Sequence, residues 1–423
     1  MNILVVGGGG REHAIIRSLK KNPQVETIFA LPGNGGIAAD ATCVPIGATD
    51  LDGIVKFASE NTIDYAVVAP DDPLVLGCVD RLSEIGIPCF GPTAAAAIIE
   101  GSKAFSKELM KKYGIPTAKY ETFDNAADAY AYLENAPVPT VIKADGLALG
   151  KGVIIAQTRE EAQAAVRDMM EGGIFGKSGS RVVIEEFLTG PEVSVLAFTD
   201  GKTVKPMVSS MDHKRAGDND TGLNTGGMGT VAPNPYYTAD VAAECMEKIF
   251  LPTINAMNAE GRTFKGCLYF GLMLTPDGPK VLEYNARFGD PEAQVVLPRM
   301  KNDIIEVIDA CIDGTLDQVD LQFEDNAAVC VILASDGYPL AYEKGLPISG
   351  LEAFKNHDGY YCFHAGTKFA DGQIVTNGGR VLGITAKGAD LKEARANAYA
   401  ATQWVDFANK YMRNDIGKAI DEA

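Results

Sequence analysis

The first hundred residues alternate short apolar runs with longer stretches in which apolar positions recur at helical spacing. NILVV precedes EHAIIRSLKK, and VETIFAL precedes a loop that reads PGNGG. IDYAVVAP and IPCFGP repeat the arrangement, each followed by a helical pattern. Apolar strands that alternate with helices of about a dozen residues are typical of βαβ units. The pattern predicts a parallel sheet covered by helices on both faces, with ligands at the carboxyl ends of its strands.

The rest of the chain divides into regions of different pattern. Ser102 is expected to cap the helix KAFSKELMKKY, and a strand-rich region follows up to about residue 188. A mixed region extends to about residue 314, and the polar stretch DGTLDQVDLQFEDN predicts a linker. AVCVILA, YYCFHAG and RVLGITA are predicted strands, and LKEARANAYAATQWVDF is a predicted final helix. We expect a protein of α/β and α+β class in four parts, with boundaries at 1–101, 102–190, 191–325 and 326–423.

Composition narrows the class of function. The chain has 423 residues, 46% apolar and 22% charged, as in ordinary globular proteins. No apolar run approaches the ~20 residues that a membrane span needs, and the first run stops at Val6, unlike a signal peptide. Eight cysteines without a CxxC pair fit a reduced cytoplasmic protein, and a formal charge of −18 disfavours nucleic acid. We expect a cytoplasmic protein that acts on small molecules without membrane or nucleic-acid partners, as a monomer or a homodimer.

The glycine run GGGGREHA joins the first strand to the first helix. Gly7 and Gly9 fit a dinucleotide fingerprint, but Glu12 stands at its third glycine, and the second strand ends in ALP without a carboxylate. Backbone N–H groups at a helix start, with Arg11 beside them, suit a monophosphate instead. A purely structural turn is the alternative. We expect Gly8, Gly9, Gly10 and Arg11, together with Asn34 of the PGNGG loop, to hold a phosphate.

A second glycine loop lies in VIKADGLALGKGV. Lys143 stands late in a strand, Asp145 and Gly146 open the loop, and it returns at Lys151 and Gly152. A mobile glycine loop with basic residues at both ends can close over a triphosphate. The segment does not match the Walker pattern. A glycine hairpin with solvated lysines is the alternative when the segment is taken alone.

The segment VIEEFLTGPE ends a strand with two carboxylates. Its backbone around Glu185, Glu186 and Leu188 is suited to an adenine edge, and Glu192 can accept hydrogen bonds from ribose hydroxyls. A solvated acidic strand end is the alternative for this segment.

The segment VLEYNARFGDPE places Glu283 and Asn285 two residues apart, hence on one face of a strand, with Arg287 continuing that face. A carboxylate and an amide oxygen suit Mg²⁺ bound to phosphates, and an arginine can hold a transferring phosphoryl group. A purely structural role is the alternative when the segment is taken alone.

The order of these motifs resembles the ATP-grasp fold along its whole length. The wording GGGGREHA, PGNGG, KADGLALGKGV, DHKRAGDNDTGLNTGGMG and NARFGDPE is similar to the narrower glycinamide ribonucleotide synthetase (phosphoribosylamine–glycine ligase) family. The resemblance implies an N-terminal α/β domain, a two-part ATP-grasp region with a lid, and a small C-terminal domain. It also implies ATP-dependent joining of glycine to 5-phospho-β-D-ribosylamine in purine biosynthesis, through a glycyl phosphate, with ADP and phosphate released.

The resemblance implies roles for particular residues. ATP would be held by Lys103, Lys143, Gly146, Lys151, Gly152, Glu185, Glu186, Leu188 and Glu192. The metal, Mg²⁺ or Mn²⁺, would be bound by Glu283 and Asn285. The reacting carboxylate and amine would face Asp212, Lys214, Arg287 and Asp290. No protein nucleophile is required.

Two departures from the family pattern stand out. The usual Gly-Pro-Glu after the fourth strand reads Ala69-Pro70-Asp71 here, so the presumed contact of Asp71 with the sugar has a shorter reach. The strand YFGLML before the metal pair has no acidic residue, so a second metal would have fewer protein ligands. A dehydrogenase and a non-catalytic nucleotide-binding protein are the alternatives. The presence of both lysines, both metal ligands and Arg287 disfavours the second.

Overall fold

The computed structural model describes all 423 residues. Its N-terminal sheet is parallel, with the spatial order Thr42–Cys43, Thr27–Pro32, Asn2–Gly7, Tyr65–Val68, Cys89–Phe90. The accompanying helices are Gly10–Leu19, Leu51–Glu60, Asp71–Leu76, Cys78–Glu84 and Ala94–Gly101. The predicted strand–helix alternation and the parallel sheet are confirmed, and the fold class agrees with the expectation.

The strand-rich region forms a small antiparallel sheet. Its spatial order is Tyr120–Phe123, Val182–Glu186, Thr140–Ala144, Val153–Ala156, and the helices Ala126–Leu133 and Arg159–Val166 pack on it. The helix Lys103–Tyr113 precedes it. As predicted, Ser102 caps this helix, because its hydroxyl accepts from the Phe105 amide at 3.1 Å, and Gly114 ends the helix in the left-handed conformation.

A second antiparallel sheet carries the central strands. Its spatial order is Val204–Pro206, Glu192–Thr199, Gly266–Thr275, Gly278–Asn285. The helices Ala239–Cys245 and Leu251–Ala259 lie on it. The last strand brings Glu283 and Asn285 to its carboxyl end, and the helices Ala293–Val296 and Ile304–Asp313 follow along the chain.

The C-terminal sheet takes strands from two distant parts of the chain. Its order is Met211–Asp212, Gly229–Ala232, Ala327–Ser335, Arg380–Gly388, Tyr360–His364, with Lys410–Tyr411 paired to Ala327–Ser335. Two short hairpins complete the strands, Arg215–Gly217 with Thr221–Asn224, and Thr367–Ala370 with Gln373–Thr376. The largest apolar core extends from Ile3 to Ile416 and is shared by N-terminal and C-terminal elements.

Two local predictions were wrong. The stretch 313–326 is not a free linker, because Leu316 is fully buried and Phe323 forms a bridge with Met300. The final helix covers Leu391–Thr402 and ends five residues before Phe407, which is buried in a separate apolar cluster. No helix of the structure is long and apolar enough to cross a membrane.

Candidate active site

One cavity of about 1010 Å³ lies where the N-terminal sheet, the two antiparallel sheets and the C-terminal sheet meet. It brings together most of the residues that the sequence motifs single out. Those lining it are Arg11, Lys103, Lys143, Lys151, Gly152, Glu185, Glu186, Leu188, Glu192, Asp212, Lys214, Glu283, Asn285, Arg287 and Asp290. Gly8, Gly9, Gly10, Asn34 and Gly146 are not among the lining residues. Motifs separated by more than two hundred residues therefore form one site.

At one end of the cavity, each oxygen of the buried Glu185 carboxylate lies near the ammonium group of a buried lysine. Lys143 Nζ lies 3.1 Å from Glu185 Oε1, and Lys107 Nζ lies 3.4 Å from Oε2. The Glu185 carboxylate is thus neutralised inside the protein, which leaves the strand backbone beside it to face a ligand. Sequence reasoning missed Lys107. Its signal was available, since Lys103 and Lys107 are four residues apart and share one face of a helix.

The base of the predicted glycine lid is fixed to the start of the helix Lys103–Tyr113. The Asp145 carboxylate accepts from Ser102 Oγ at 3.0 Å and from the Ala104 amide at 2.7 Å. Lys103 Nζ donates to the Gly146 carbonyl at 3.0 Å. The tip is open to solvent, because the Leu149 side chain is 71% exposed. The segment therefore has an anchored base and a largely exposed tip, as the predicted lid requires.

Glu283 and Asn285 project from the end of the strand Gly278–Asn285, and Lys214 Nζ lies 3.4 Å from Glu283 Oε1. Burial would raise the pKa of Glu283, but Lys214, Lys143, Lys103 and Arg287 overcome it and hold that pKa at about 2. An ionised carboxylate and an amide oxygen match the oxygen ligands of Mg²⁺. No group of three or more His, Cys, Asp or Glu side chains has the arrangement of a metal site. A metal here would complete its coordination with phosphate oxygens and water.

Arg287 is held by an acid that sequence reasoning missed. Its Nη2 lies 2.8 Å from Glu100 Oε1 and 3.9 Å from Asp71 Oδ2. Glu100 Oε2 also accepts from the Ala286 amide at 2.7 Å, so one carboxylate orients both the guanidinium and its backbone. Asp71, in the position that departs from the family pattern, lines the same cavity. Nothing in the apolar run TAAAAIIEG marks Glu100 in advance.

Asp212 and Asp290 occupy opposite electrostatic settings. Asp212 Oδ2 is buried without a hydrogen-bond partner, and burial beside Glu292 raises the pKa of Asp212 well above its usual value. The Asp290 pKa is lowered despite its burial, because Arg380 and Arg11 lie near it. Arg380, which sequence reasoning also missed, donates to the Asp290 carbonyl at 2.8 Å from a C-terminal strand.

The glycine turn is more closely packed than a free phosphate loop. The Gly9 amide donates to Glu12 Oε2 at 2.9 Å, and Arg11 Nη2 lies 2.9 Å from Glu12 Oε1. The Arg11 amide donates to Asp290 Oδ2 at 3.3 Å. Arg11 alone of the predicted phosphate ligands lines the cavity. The Asn34 amide group already donates to two carbonyl oxygens, so it differs from the expected direct phosphate ligand.

Comparison with known proteins gives matches along the chain. Three family models match, described as the N domain, the ATP-grasp (A) domain and the C domain of phosphoribosylglycinamide synthetase, at residues 1–100, 101–293 and 328–419. A phosphoribosylamine–glycine ligase of Vibrio vulnificus (strain CMCP6) is 50% identical over 420 residues, which cover 99% of this chain and 98% of the relative. A phosphoribosylamine–glycine ligase of Caldanaerobacter subterraneus is 49% identical over 416 residues, which cover 98% of this chain and 99% of the relative.

Solved structures agree. The crystal structure of a phosphoribosylamine–glycine ligase from Thermotoga maritima has a TM-score of 0.85 and 33% identity, and covers 99% of this chain and 100% of that chain. The biotin carboxylase domain of Hydrogenobacter thermophilus 2-oxoglutarate carboxylase has a TM-score of 0.74 at 16% identity. The match covers 97% of this chain and 91% of that chain. The second likeness is one of fold alone.

Proposed function

Because this chain belongs to the phosphoribosylglycinamide synthetase family, we propose that it is an ATP-dependent ligase that joins glycine to 5-phospho-β-D-ribosylamine in purine biosynthesis. The products are glycinamide ribonucleotide, ADP and phosphate. The observation that carries this function is that one cavity brings together residues suited to ATP, a metal ion and a phosphoryl group. They are Lys103, Lys143, Glu283, Asn285 and Arg287.

ATP is assigned to the side of the cavity formed by the small antiparallel sheet. The backbone near Glu185, Glu186 and Leu188 holds adenine, and Glu192 accepts from the ribose hydroxyls. Lys103 and Lys143 neutralise the phosphates. The segment from Gly146 to Gly152, including Lys151, closes over them and excludes water during transfer.

Glu283 and Asn285 are assigned to Mg²⁺ or Mn²⁺. When bound, the metal would neutralise phosphate charge during transfer. The low pKa of Glu283, about 2, supports the assignment, because the carboxylate is ionised at any working pH. Lys214 and Arg287 stand beside this pair and are assigned to the transferring phosphoryl group and the glycine carboxylate.

The reaction has two steps. An oxygen of the glycine carboxylate attacks the γ-phosphorus of ATP, the bond to the β-phosphate oxygen breaks, and ADP leaves. The amine of phosphoribosylamine then attacks the acyl carbon of glycyl phosphate, phosphate leaves, and the amine loses a proton. Asp212 and Asp290 orient the two amines. The protein supplies positioning and charge neutralisation and forms no covalent bond with substrate.

Phosphoribosylamine is assigned to the part of the cavity beside Arg11, which is the one residue of the turn from Gly8 to Arg11 that lines the cavity. The loop that contains Asn34 supports this turn from outside the cavity. The hydrogen bond from the Arg11 amide to Asp290 supports this, because it places the turn beside the proposed catalytic segment. The Arg11 guanidinium supplies the positive charge toward a sugar phosphate.

The function is tested by phosphate release in the presence of ATP, Mg²⁺, glycine and freshly made phosphoribosylamine, with each left out in turn. We expect sustained release only in the complete mixture, together with one glycinamide ribonucleotide per phosphate. Sustained release without the sugar amine or without glycine would contradict a ligase.

A further inference from the structure

The loop PGNGG faces the C-terminal region rather than the cavity. The Gly35 amide donates to the Thr367 carbonyl at 3.1 Å. A methyl group at Gly36 would lie 2.1 Å from the His364 ring, and one at Gly35 would lie 3.0 Å from the Lys368 backbone. Glycine is required here because the C-terminal segment 364–368 approaches the loop backbone so closely. This part of the motif therefore serves contact between distant parts of the chain.

Asn34 uses its whole hydrogen-bonding capacity inside the protein. Its Oδ1 accepts from the amides of Gly36 at 3.0 Å and Ile37 at 2.9 Å, which stabilises its own loop. Its Nδ2 donates to the Gly8 carbonyl at 2.9 Å and to the His364 carbonyl at 2.7 Å. The two acceptor bonds are local, whereas the two donor bonds join the first glycine turn to the C-terminal segment.

The bond to the Gly8 carbonyl fixes the direction of the next amide. The Gly8 carbonyl and the Gly9 N–H belong to one planar peptide unit, so holding one orients the other. That N–H donates to Glu12 Oε2 at 2.9 Å, and Glu12 Oε1 accepts from Arg11 Nε at 3.1 Å and from Nη2 at 2.9 Å. A continuous chain of hydrogen bonds thus leads from His364 to the guanidinium of Arg11, a residue that lines the cavity and whose Nη1 also donates to the Phe288 carbonyl at 3.1 Å.

A second hydrogen bond joins segment 364–368 to the helix that follows the glycine turn. The His364 amide donates to His13 Nδ1 at 2.8 Å, which places the ring proton on Nε2, where it is shared with Asp40 Oδ2 at 2.8 Å. Segment 364–368 therefore holds both the loop of Asn34 and the helix Gly10–Leu19, whose first turn carries Arg11.

We propose that Asn34 is a positioning residue of the phosphoribosylamine site, which, with segment 364–368, sets the Gly8–Gly9 peptide and, through Glu12, the Arg11 guanidinium. The inference rests on the proposed function, in which Arg11 holds the sugar phosphate. The C-terminal region is then a structural part of the sugar-amine site.

The test is a double-mutant cycle of Asn34→Asp and Arg11→Ala in the full-length enzyme. Aspartate keeps both acceptor bonds of Asn34, loses both donor bonds and sets an oxygen against the Gly8 carbonyl. We expect Asn34→Asp to raise the KM for phosphoribosylamine about tenfold, as for a misplaced charged hydrogen bond, with the KM for ATP unchanged. In the Arg11→Ala background, the same change is expected to have less than about a twofold effect, because both residues act through one group.

The outcomes separate the two proposals. Suppose that Arg11→Ala raises the KM for phosphoribosylamine. If Asn34→Asp then has no effect on this KM, or has an effect that adds fully to that of Arg11→Ala, the positioning role of Asn34 is overturned and the site at Arg11 stands. No effect of Arg11→Ala on the sugar amine overturns the site and the inference together. An equal rise in the KM for ATP marks a general structural role and also overturns the inference. Asn61→Asp, at an exposed helix end of the same domain, controls for the added charge.

Gly36→Ala gives a second variant if Asn34→Asp does not fold. Its methyl group would press on the His364 ring and shift segment 364–368 from the loop. We expect the same selective rise in the KM for phosphoribosylamine. Gly47→Ala is the matched control, because nothing lies within 4 Å of a methyl group there. Equal kinetics of the two variants would contradict the inference.

Discussion

The Lys214 ammonium group lies 3.4 Å from the Glu283 carboxylate at the edge of the central cavity. The pair joins a residue of the DHKR motif to the proposed metal ligand, and it keeps Glu283 ionised. We predict that Glu283→Gln lowers kcat at least a hundredfold at saturating Mg²⁺, because several kcal/mol of charge stabilisation are lost. Steady-state phosphate release measures the effect.

The control for this substitution is Glu244→Gln, which removes the partner of the exposed Lys248 away from the cavity. An unchanged thermal midpoint for Glu283→Gln would show that the fold is intact. Near-normal turnover of that variant would exclude Glu283 as a metal ligand.

The glycine segment 146–152 should be cut by trypsin after Lys151 in the free enzyme and protected by ATP with Mg²⁺. Its base is anchored through Asp145, and its tip has only a weak contact, from Lys151 Nζ to the Pro339 carbonyl at 3.5 Å. Closure over nucleotide removes the tip from the protease. Cleavage after Lys301, exposed in irregular structure, gives the internal standard. Equal rates at Lys151 with and without nucleotide would contradict a lid.

Arg11→Ala should raise the KM for phosphoribosylamine about ten- to a hundredfold and leave the KM for ATP nearly unchanged. The expected loss is that of a hydrogen bond to a charged group, roughly 1.5–3 kcal/mol. ATP is assigned to another sheet, so its affinity should not follow. Lys56→Ala, at an exposed position of a helix in the same domain, is the matched control. A larger effect on ATP than on the sugar amine would move the nucleotide to the glycine turn.

The contribution of His364 and His13 to stability should be lost as the pH drops below about 6.5, the ordinary pKa of histidine. Burial lowers the pKa of His364 to about 3 and also lowers that of His13. Below pH 6.5 the unfolded chain therefore binds protons on these histidines that the folded chain does not bind. The contribution of the two neutral histidines to the free energy of unfolding is present above pH 6.5 and is lost on acidification. His364→Asn, which keeps a partner for Thr367, removes one such group. Between about pH 7.5 and 5.5, urea unfolding should show the variant losing about 1.4 kcal/mol less than the native protein. An identical loss in both would contradict the assignment.

Local sequence patterns predicted the parts of the fold that depend on neighbouring residues alone. The strand–turn–helix at Gly7 and the cap at Ser102 follow from neighbouring residues, so they could be read directly. Glu100 and Arg380 were missed because each acquires its role from a partner far along the chain, as Glu100 does from Arg287. Lys107 was missed although its helical spacing from Lys103 was available in the sequence. PGNGG looked like a phosphate loop since glycine serves both anion binding and close packing. The contacts of this loop with the distant segment 364–368, such as that of Gly36 with His364, separate the two roles, and no local pattern predicts them.

In the proposed reaction, ATP activates the glycine carboxylate before the sugar amine attacks it. Glycine labelled with ¹⁸O in both carboxylate oxygens tests this most directly, because activation as glycyl phosphate transfers one of them to phosphate. In the complete reaction with Mg²⁺ and phosphoribosylamine, mass spectrometry should find one ¹⁸O in each phosphate released and one in each glycinamide ribonucleotide. Phosphate without ¹⁸O, formed in step with product, would show that the carboxylate is never phosphorylated and would exclude the proposed reaction.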